Sequence, residues 1–207
     1  MKFNAQRESI LPVLQSVNGA VERRQSLPIL SNVMIVLENG RLTATATDME
    51  VEIVSAIALE SKENCAFTAP ARKLLDIVRA LPAGAELEFS VTEKQVALKS
   101  GRSRFALTTM PVNDYPNVGE FEPAVQFSLG AGTLKKLIGD TQFAMAHQDV
   151  RYYLNGLLLE MSGAILRAVA TDGHRLALAE TAVDEAFEAP RQVIVPRKGV
   201  GELARML

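Results

Sequence analysis

The chain has 207 residues, enough for one large or two ordinary domains, and 48% hydrophobic content with 22% charged residues of mixed sign excludes wholesale disorder. No apolar run approaches the length of a membrane span, and Met1-Lys2-Phe3 opens directly on a strand pattern without a signal-peptide core, so a cytoplasmic protein with no membrane association is expected. A net charge of −2 speaks against a uniformly basic nucleic-acid binder, and the lone Cys65 excludes an intrachain disulfide and reads as a buried structural thiol.

In chain order, a strand-like group around Phe3 leads into a helix expected from near Gln6, in which Pro12 sits awkwardly because it lacks the N–H of an interior turn. Period-two runs follow at 34–37, 42–46 and 51–59, with Asn39-Gly40 as a hairpin turn. Pro70 and Pro82 bracket a helix over 71–81, whose Leu74, Ile77, Val78 and Leu81 fall on one face and Arg72, Asp76 and Arg79 on the other. Further alternating runs lie at 87–91, 96–99 and 105–109, punctuated by Ser100-Gly101. Phe127 opens another strand-like group before a helix near Thr133, and a last helix begins near Lys198. Strand, helix, then antiparallel strands is an α+β unit, and two such units per domain give a two-helix layer backed by sheet.

The chain repeats itself. Residues 30–48 (LSNVMIVLENGRLTATATD) return 124 residues later as 154–172 (LNGLLLEMSGAILRAVATD), with six of nineteen positions identical, far above the chance level of about one. Upstream, Phe3 falls on Phe127 and Ile10 on Leu134; downstream the offset slips to 126, placing Pro70 on Pro196 and Arg79 on Arg205. A weaker repeat at an offset of 64 sets Phe3, Ile10 and Leu14 on Phe67, Leu74 and Val78, so the basic unit is about sixty residues long. This phasing expects a first domain over 1–120 and a second over 127–207 that is incomplete at its C-terminus, the natural chain being longer. Within both copies the helices carry positive charge: Arg72, Lys73 and Arg79 against Asp76, and Arg197, Lys198 and Arg205 against Glu202. A single basic helix face is ordinary solvated surface, but its recurrence at equivalent repeat positions weakens that reading.

Enzyme chemistry would have to start from His147, Asp149, Asp172 and His174, and these lack a known ligand spacing: there is no HExxH, no paired CxxC and no GxSxG elbow. Asp172-Gly173 is accounted for by turn chemistry, yet its repeat partner Asp48-Met49 has neither Gly nor His, so the second copy is expected to have something added there. GAGT at 130–133 lacks the rest of a phosphate loop and reads as a tight turn or a cap by Thr133. No cofactor or metal site is expected. Tyr152-Tyr153 next to Arg151 is either a strand start with half-buried rings or a contact surface for nucleic acid or a protein partner.

Longer motifs narrow the reading. MAHQDVRYYLNG (145–156), VATDGHRLA (169–177), VPRKGV (195–200), PARK (70–73), GRSRF (101–105) and SLPILSN (26–32) together resemble the bacterial DNA polymerase III β subunit family, the sliding clamps. The resemblance runs through the whole chain. It implies the DNA clamp fold, with three similar domains per chain and a head-to-tail homodimer that closes a ring around DNA, helices inside and sheets outside. It implies a non-catalytic processivity factor whose partners are duplex DNA of any sequence, the polymerase III catalytic subunit, the clamp loader and other proteins with clamp-binding motifs. Weak contacts from Lys and Arg to phosphates suit such a ring, since base-specific bonds would pin it.

By the same resemblance Arg24, Arg72, Gln148, Arg197 and Lys198 face DNA, with Tyr152 and Tyr153 nearby. Leu154, Thr171, Gly173, His174, Arg175 and Leu176 form one wall of an apolar pocket for partner peptides. Lys73, Ile77, Leu81, Arg102, Arg104, Phe105 and Leu107 belong to the first-domain side of the ring interface, where Phe105 would be an exposed apolar anchor. The other reading of the same residues is a metal-dependent nucleic-acid enzyme using His147, Asp149 and His174, and it lacks a carboxylate cluster.

Overall fold

The computed structural model describes residues 1–21, 27–61, 63–116, 123 and 126–207, and they fall into two compact units, Met1–Gly119 and Glu120–Leu207. In unit 1, β1 (Lys2–Gln6) turns Phe3 and Ala5 inward and runs into α1 (Arg7–Val17), which buries Ile10, Val13, Leu14 and Val17. Pro12 lies on the exposed side of α1, where loss of one backbone N–H leaves the buried stripe intact. The antiparallel strands β2 (Asn32–Glu38), β3 (Arg41–Thr47) and β4 (Glu52–Ala58) follow. Asn39 and Gly40, at φ 51 and 73, make the β2–β3 turn, both in the left-handed region that a two-residue hairpin of the primed type needs.

The second half of unit 1 repeats this order as β5 (Cys65–Pro70), α2 (Ala71–Ala80), β6 (Glu86–Val91), β7 (Gln95–Ser100) and β8 (Ser103–Thr108). Each half lends its opening strand to the other. The two sheets run β1-β6-β7-β8 and β5-β2-β3-β4, so β1 pairs with β6 and β5 with β2. The reason is visible in the core: Phe3 on β1 stacks on Phe89 of β6 with centroids 4.6 Å apart, and Phe67 of β5 tilts against both at 6.2 and 6.4 Å. The helices α1 and α2 pack together, and Arg7 at the head of α1 donates to the Val78 and Arg79 carbonyls at the end of α2. Two buried polar side chains are matched: the Tyr115 hydroxyl lies 3.2 and 3.1 Å from the carbonyls of Asn32 and Thr45, and Asn32 Nδ2 donates to Thr68 Oγ1 at 3.0 Å. Cys65 is buried, and burial pushes its thiol pKa up.

Unit 2 is built as the first part of unit 1 is, with α3 (Ala131–Thr141), β9 (Gly156–Thr171), β10 (Leu176–Pro196) and α4 (Arg197–Met206). Its two long strands carry the register of four shorter ones. Thr171↔Leu176 reproduces Thr47↔Glu52 of the β3–β4 pair, and Gly156↔Pro196 reproduces Asn32↔Pro70 of β2–β5. The irregular pairing between Ala182 and Arg191 absorbs the two residues by which the sequence offset changes.

Several sequence expectations are corrected here. Residues 126–130 form no strand, whereas the matching β1 of unit 1 pairs with β6. Thr133 is not a cap, because α3 begins at Ala131 with Gly130 at the N-cap position. Nothing is inserted at the 171–175 turn either. Thr47 Oγ1 accepts from Met49 N–H and Asp48 Oδ1 from the N–H groups of Glu50 and Val51; Thr171 and Asp172 make the same bonds to Gly173, His174 and Arg175. Met49 and Gly173 share a positive φ, 79 and 89, so the two turns differ in side chains and not in length.

Candidate functional site

The loop between α3 and β9 and the β9–β10 turn lie together at one end of unit 2. Asn155 closes the loop on itself, accepting from Asp149 N–H at 2.9 Å and donating to the Asp149 carbonyl at 2.8 Å. Arg151 grips Asp149 through both carboxylate oxygens, at 3.0 and 2.9 Å, and this fork holds the Asp149 pKa down at about 2. The Arg151 guanidinium lies over Gly173, where a Cβ would stand 3.2 Å from Nη2. Opposite, Arg175 donates to Asp172 Oδ2 and to the Phe143 carbonyl, with its guanidinium 5.7 Å from the Phe143 ring centroid. Backbone N–H bonds from His174 and Arg175 lower the Asp172 pKa.

This end of unit 2 carries much exposed apolar and aromatic surface: Val150 (92%), Tyr152 (83%), Leu176 (65%) and, in part, Tyr153 and Phe143. Tyr152, Tyr153 and Leu154 form a 3₁₀ turn two residues ahead of β9, so the half-buried strand-start reading of the tyrosines is wrong: the turn projects both rings outward and tucks Leu154 inward. Of the residues expected to line a pocket, Gly173, His174, Arg175 and Leu176 are exposed, Thr171 is half-buried with its hydroxyl donating to the Arg175 carbonyl, and Leu154 is buried.

Of the residues expected to face DNA, Gln148 is exposed at φ 57, Arg197 is exposed on the first turn of α4 beside a half-buried Lys198, and Arg72 is exposed on α2 of unit 1. Arg24 lies outside the described residues. On the interface list, Lys73, Arg102 and Arg104 are exposed and Ile77 and Leu81 are half-buried. Leu107 and Phe105 need correcting: Leu107 is buried in the unit 1 core and Phe105 packs half-buried against it, because alternate residues of the outer strand β8 point inward. Phe105 is therefore not a freely exposed anchor.

Sequence reasoning singled out neither Arg151, Asn155 nor Phe143 as site residues. The readable signal for Arg151 was its two-residue spacing from Asp149, but its reach across to Gly173 depends on tertiary placement. Asp149 and Asp172 are each committed to an arginine, and among the described residues no group of three or more His, Cys, Asp or Glu is placed to hold a metal ion. No described helix is long and apolar enough to cross a membrane.

Comparison with known proteins agrees with this architecture. Residues 1–119 match the family described as DNA polymerase III beta subunit, N-terminal domain, and residues 128–207 its central domain. The chain is 51% identical to the beta sliding clamp of Pseudomonas aeruginosa and 49% identical to that of Escherichia coli, in each case across 100% of this chain and 57% of the relative. It thus spans 57% of the length of these curated relatives. The crystal structure of the DNA polymerase III subunit beta from P. aeruginosa superposes with a TM-score of 0.95 at 51% identity, covering 100% of this chain and 56% of that one. The Caulobacter crescentus pol III beta structure does so at 0.93 and 39%, covering 100% and 57%. The P. aeruginosa sliding clamp bound to griselimycin gives 0.93 at 51%, with 100% and 56% covered. With both units matched end to end in sequence and in fold, the chain belongs to the DNA polymerase III β subunit family.

Proposed function

We propose that this chain is the N-terminal and central part of a sliding clamp, a non-catalytic processivity factor of the replicative polymerase that encircles duplex DNA in the cytoplasm. Residues 1–120 are then the clamp N-terminal domain and 127–207 belong to the central one, with a third domain in the longer protein and a homodimeric ring as the working form. The single observation that carries this reading is the recurrence of one architecture in both units, each presenting a helix that opens on basic residues: Arg72-Lys73 on α2 and Arg197-Lys198 on α4.

A ring that must slide needs contacts blind to sequence and shallow in energy, and side chains from short helix turns to phosphates meet that need. Gln148, Tyr152 and Tyr153, on the loop beside α4, add uncharged polar and ring contacts. The exposed surface of Leu176, His174 and Gly173 supports the partner-peptide assignment, which would serve the polymerase catalytic subunit, the clamp loader and other motif-bearing partners. Strand β8, which pairs with β7, and the half-buried Ile77 on α2 and Leu81 just after it support the ring-interface assignment for the unit 1 surface, with Arg102, Arg104 and Lys73 at its rim. No cofactor is required. The metal-enzyme alternative has no carboxylate left uncommitted at Asp149 or Asp172.

Titration with short duplexes of unrelated sequence tests the reading. Lys198→Ala and Gln148→Ala should weaken binding by the same factor for every duplex, and the lysine change should lower the salt slope by about 0.9, the share of one phosphate contact. Loss confined to one sequence, or metal-dependent breakdown of the DNA, would overturn it.

A further inference from the structure

The loop that carries Gln148, Tyr152 and Tyr153 is held at both ends by one residue of another element. Arg197, first in α4, donates from Nη1 to the carbonyls of Met145 at 3.0 Å and Ala146 at 3.3 Å, the residues that enter the loop. Its backbone N–H donates to the carbonyl of Asn155 at 2.9 Å, where the loop leaves for β9. Unit 1 contains the same device built differently. Arg72, second in α2, donates from Nη2 to the carbonyl of Val21 at 2.9 Å, and Val21 stands 124 residues before Met145.

The two arginines do not occupy equivalent positions, since the downstream offset of 126 aligns Arg72 with Lys198 and Arg197 with Ala71. They nevertheless reach the same carbonyl. What Arg72 and Arg197 have in common is therefore the bond to the backbone and not their place on the helix. Only a guanidinium presents directed donors on a rigid planar fork, and one nitrogen here serves two carbonyls; an ammonium carries the same charge without that geometry.

We propose that Arg197 is a positioning residue for the duplex-facing loop: it fixes the base of residues 147–155 so that Gln148 is presented to DNA, and it does not itself neutralise a phosphate. This inference rests on the reading of Gln148 as a DNA contact and deepens it. Arg72 supplies the independent precedent in unit 1.

The test is Arg197→Lys, which keeps the charge and removes the fork. In the DNA-free protein, amide hydrogen exchange at residues 147–151 should quicken at least tenfold while that of 157–161 in β9 stays as in the parent. In titration with a short duplex, the variant should bind several-fold more weakly with an unchanged salt slope, and the loss should vanish when Gln148→Ala is already present. Unchanged exchange in the loop would overturn the proposal. So would full DNA affinity in Arg197→Lys, or a loss in Arg197→Ala that adds to that of Gln148→Ala and lowers the salt slope by about one contact, since Arg197 would then be meeting a phosphate. If Gln148→Ala alone binds DNA like the parent, the DNA-contact reading of the loop fails, and the exchange arm decides the positioning role by itself.

Discussion

Asp149 shows how a single ion pair organises the loop. With Arg151 on both its oxygens, its pKa is held at about 2, below the ordinary value of 3.8. A carboxylate depressed on folding adds stability that is present above its unfolded pKa and fades as pH falls through the folded one, so the loop should keep this support at neutral pH and lose it between about pH 4 and pH 2. A carboxyl NMR titration should give a midpoint near 2 for Asp149, rising in Arg151→Ala toward the ordinary value but staying below it, because the backbone N–H of residue 151 still donates to Asp149 Oδ1; an unshifted midpoint in the parent would remove the pair from the account. Gly173 makes a second residue-level case. Its φ of 89 costs an L side chain strain, and Met49 bears the same strain at 79 in unit 1. Gly173→Ala should destabilise unit 2 by about 1 kcal/mol or more, measured by denaturant midpoint, and push the Arg151 guanidinium off the turn. The glycine was legible in sequence as turn chemistry. The arginine above it was not, because nothing local ties residue 151 to residue 173.

At the scale of elements, periodicity placed the β2–β4 and β6–β8 strands and the α1 and α2 helices of unit 1 to within a few residues, since the inward residues of β2 and β6 and a buried stripe on α2 leave their pattern in the order of side chains. The exchange of β1 and β5 between the halves left no such trace. A strand's inward face reads the same whichever neighbour it pairs with, so the choice is made by three-dimensional fit, here by the three phenylalanines that interlock across the two sheets. Phe89→Ala removes the ring on which Phe3 stacks and should cost about 3–5 kcal/mol of unit 1 stability. Because the loss falls on the β1–β6 pair, amides of β1 should lose exchange protection more than those of β4. Equal loss in both strands would mean that the aromatic cluster does not select the pairing.

At the scale of the whole molecule, the two units carry the same plan to different degrees of closure. Phe67 in unit 1 is 2% exposed, enclosed by Phe3 and by Phe89 from β6. Val193, at the position 126 residues later, is 48% exposed, and Ile194 beside it 45%. An apolar residue open on one side gains about half the burial of an enclosed one, at roughly 25 cal/mol per Å². Unit 2 should therefore open first. Under rising denaturant, amides of β9 should reach full exchange before those of β3, with two transitions in place of one. Appending the residues that follow the central-domain match in the longer relatives should bury Val193 and bring the two transitions together. A single transition in this chain, or no gain on extension, would show that the exposed face of β10 costs unit 2 nothing and that the equivalence drawn from Phe67 does not hold in energy.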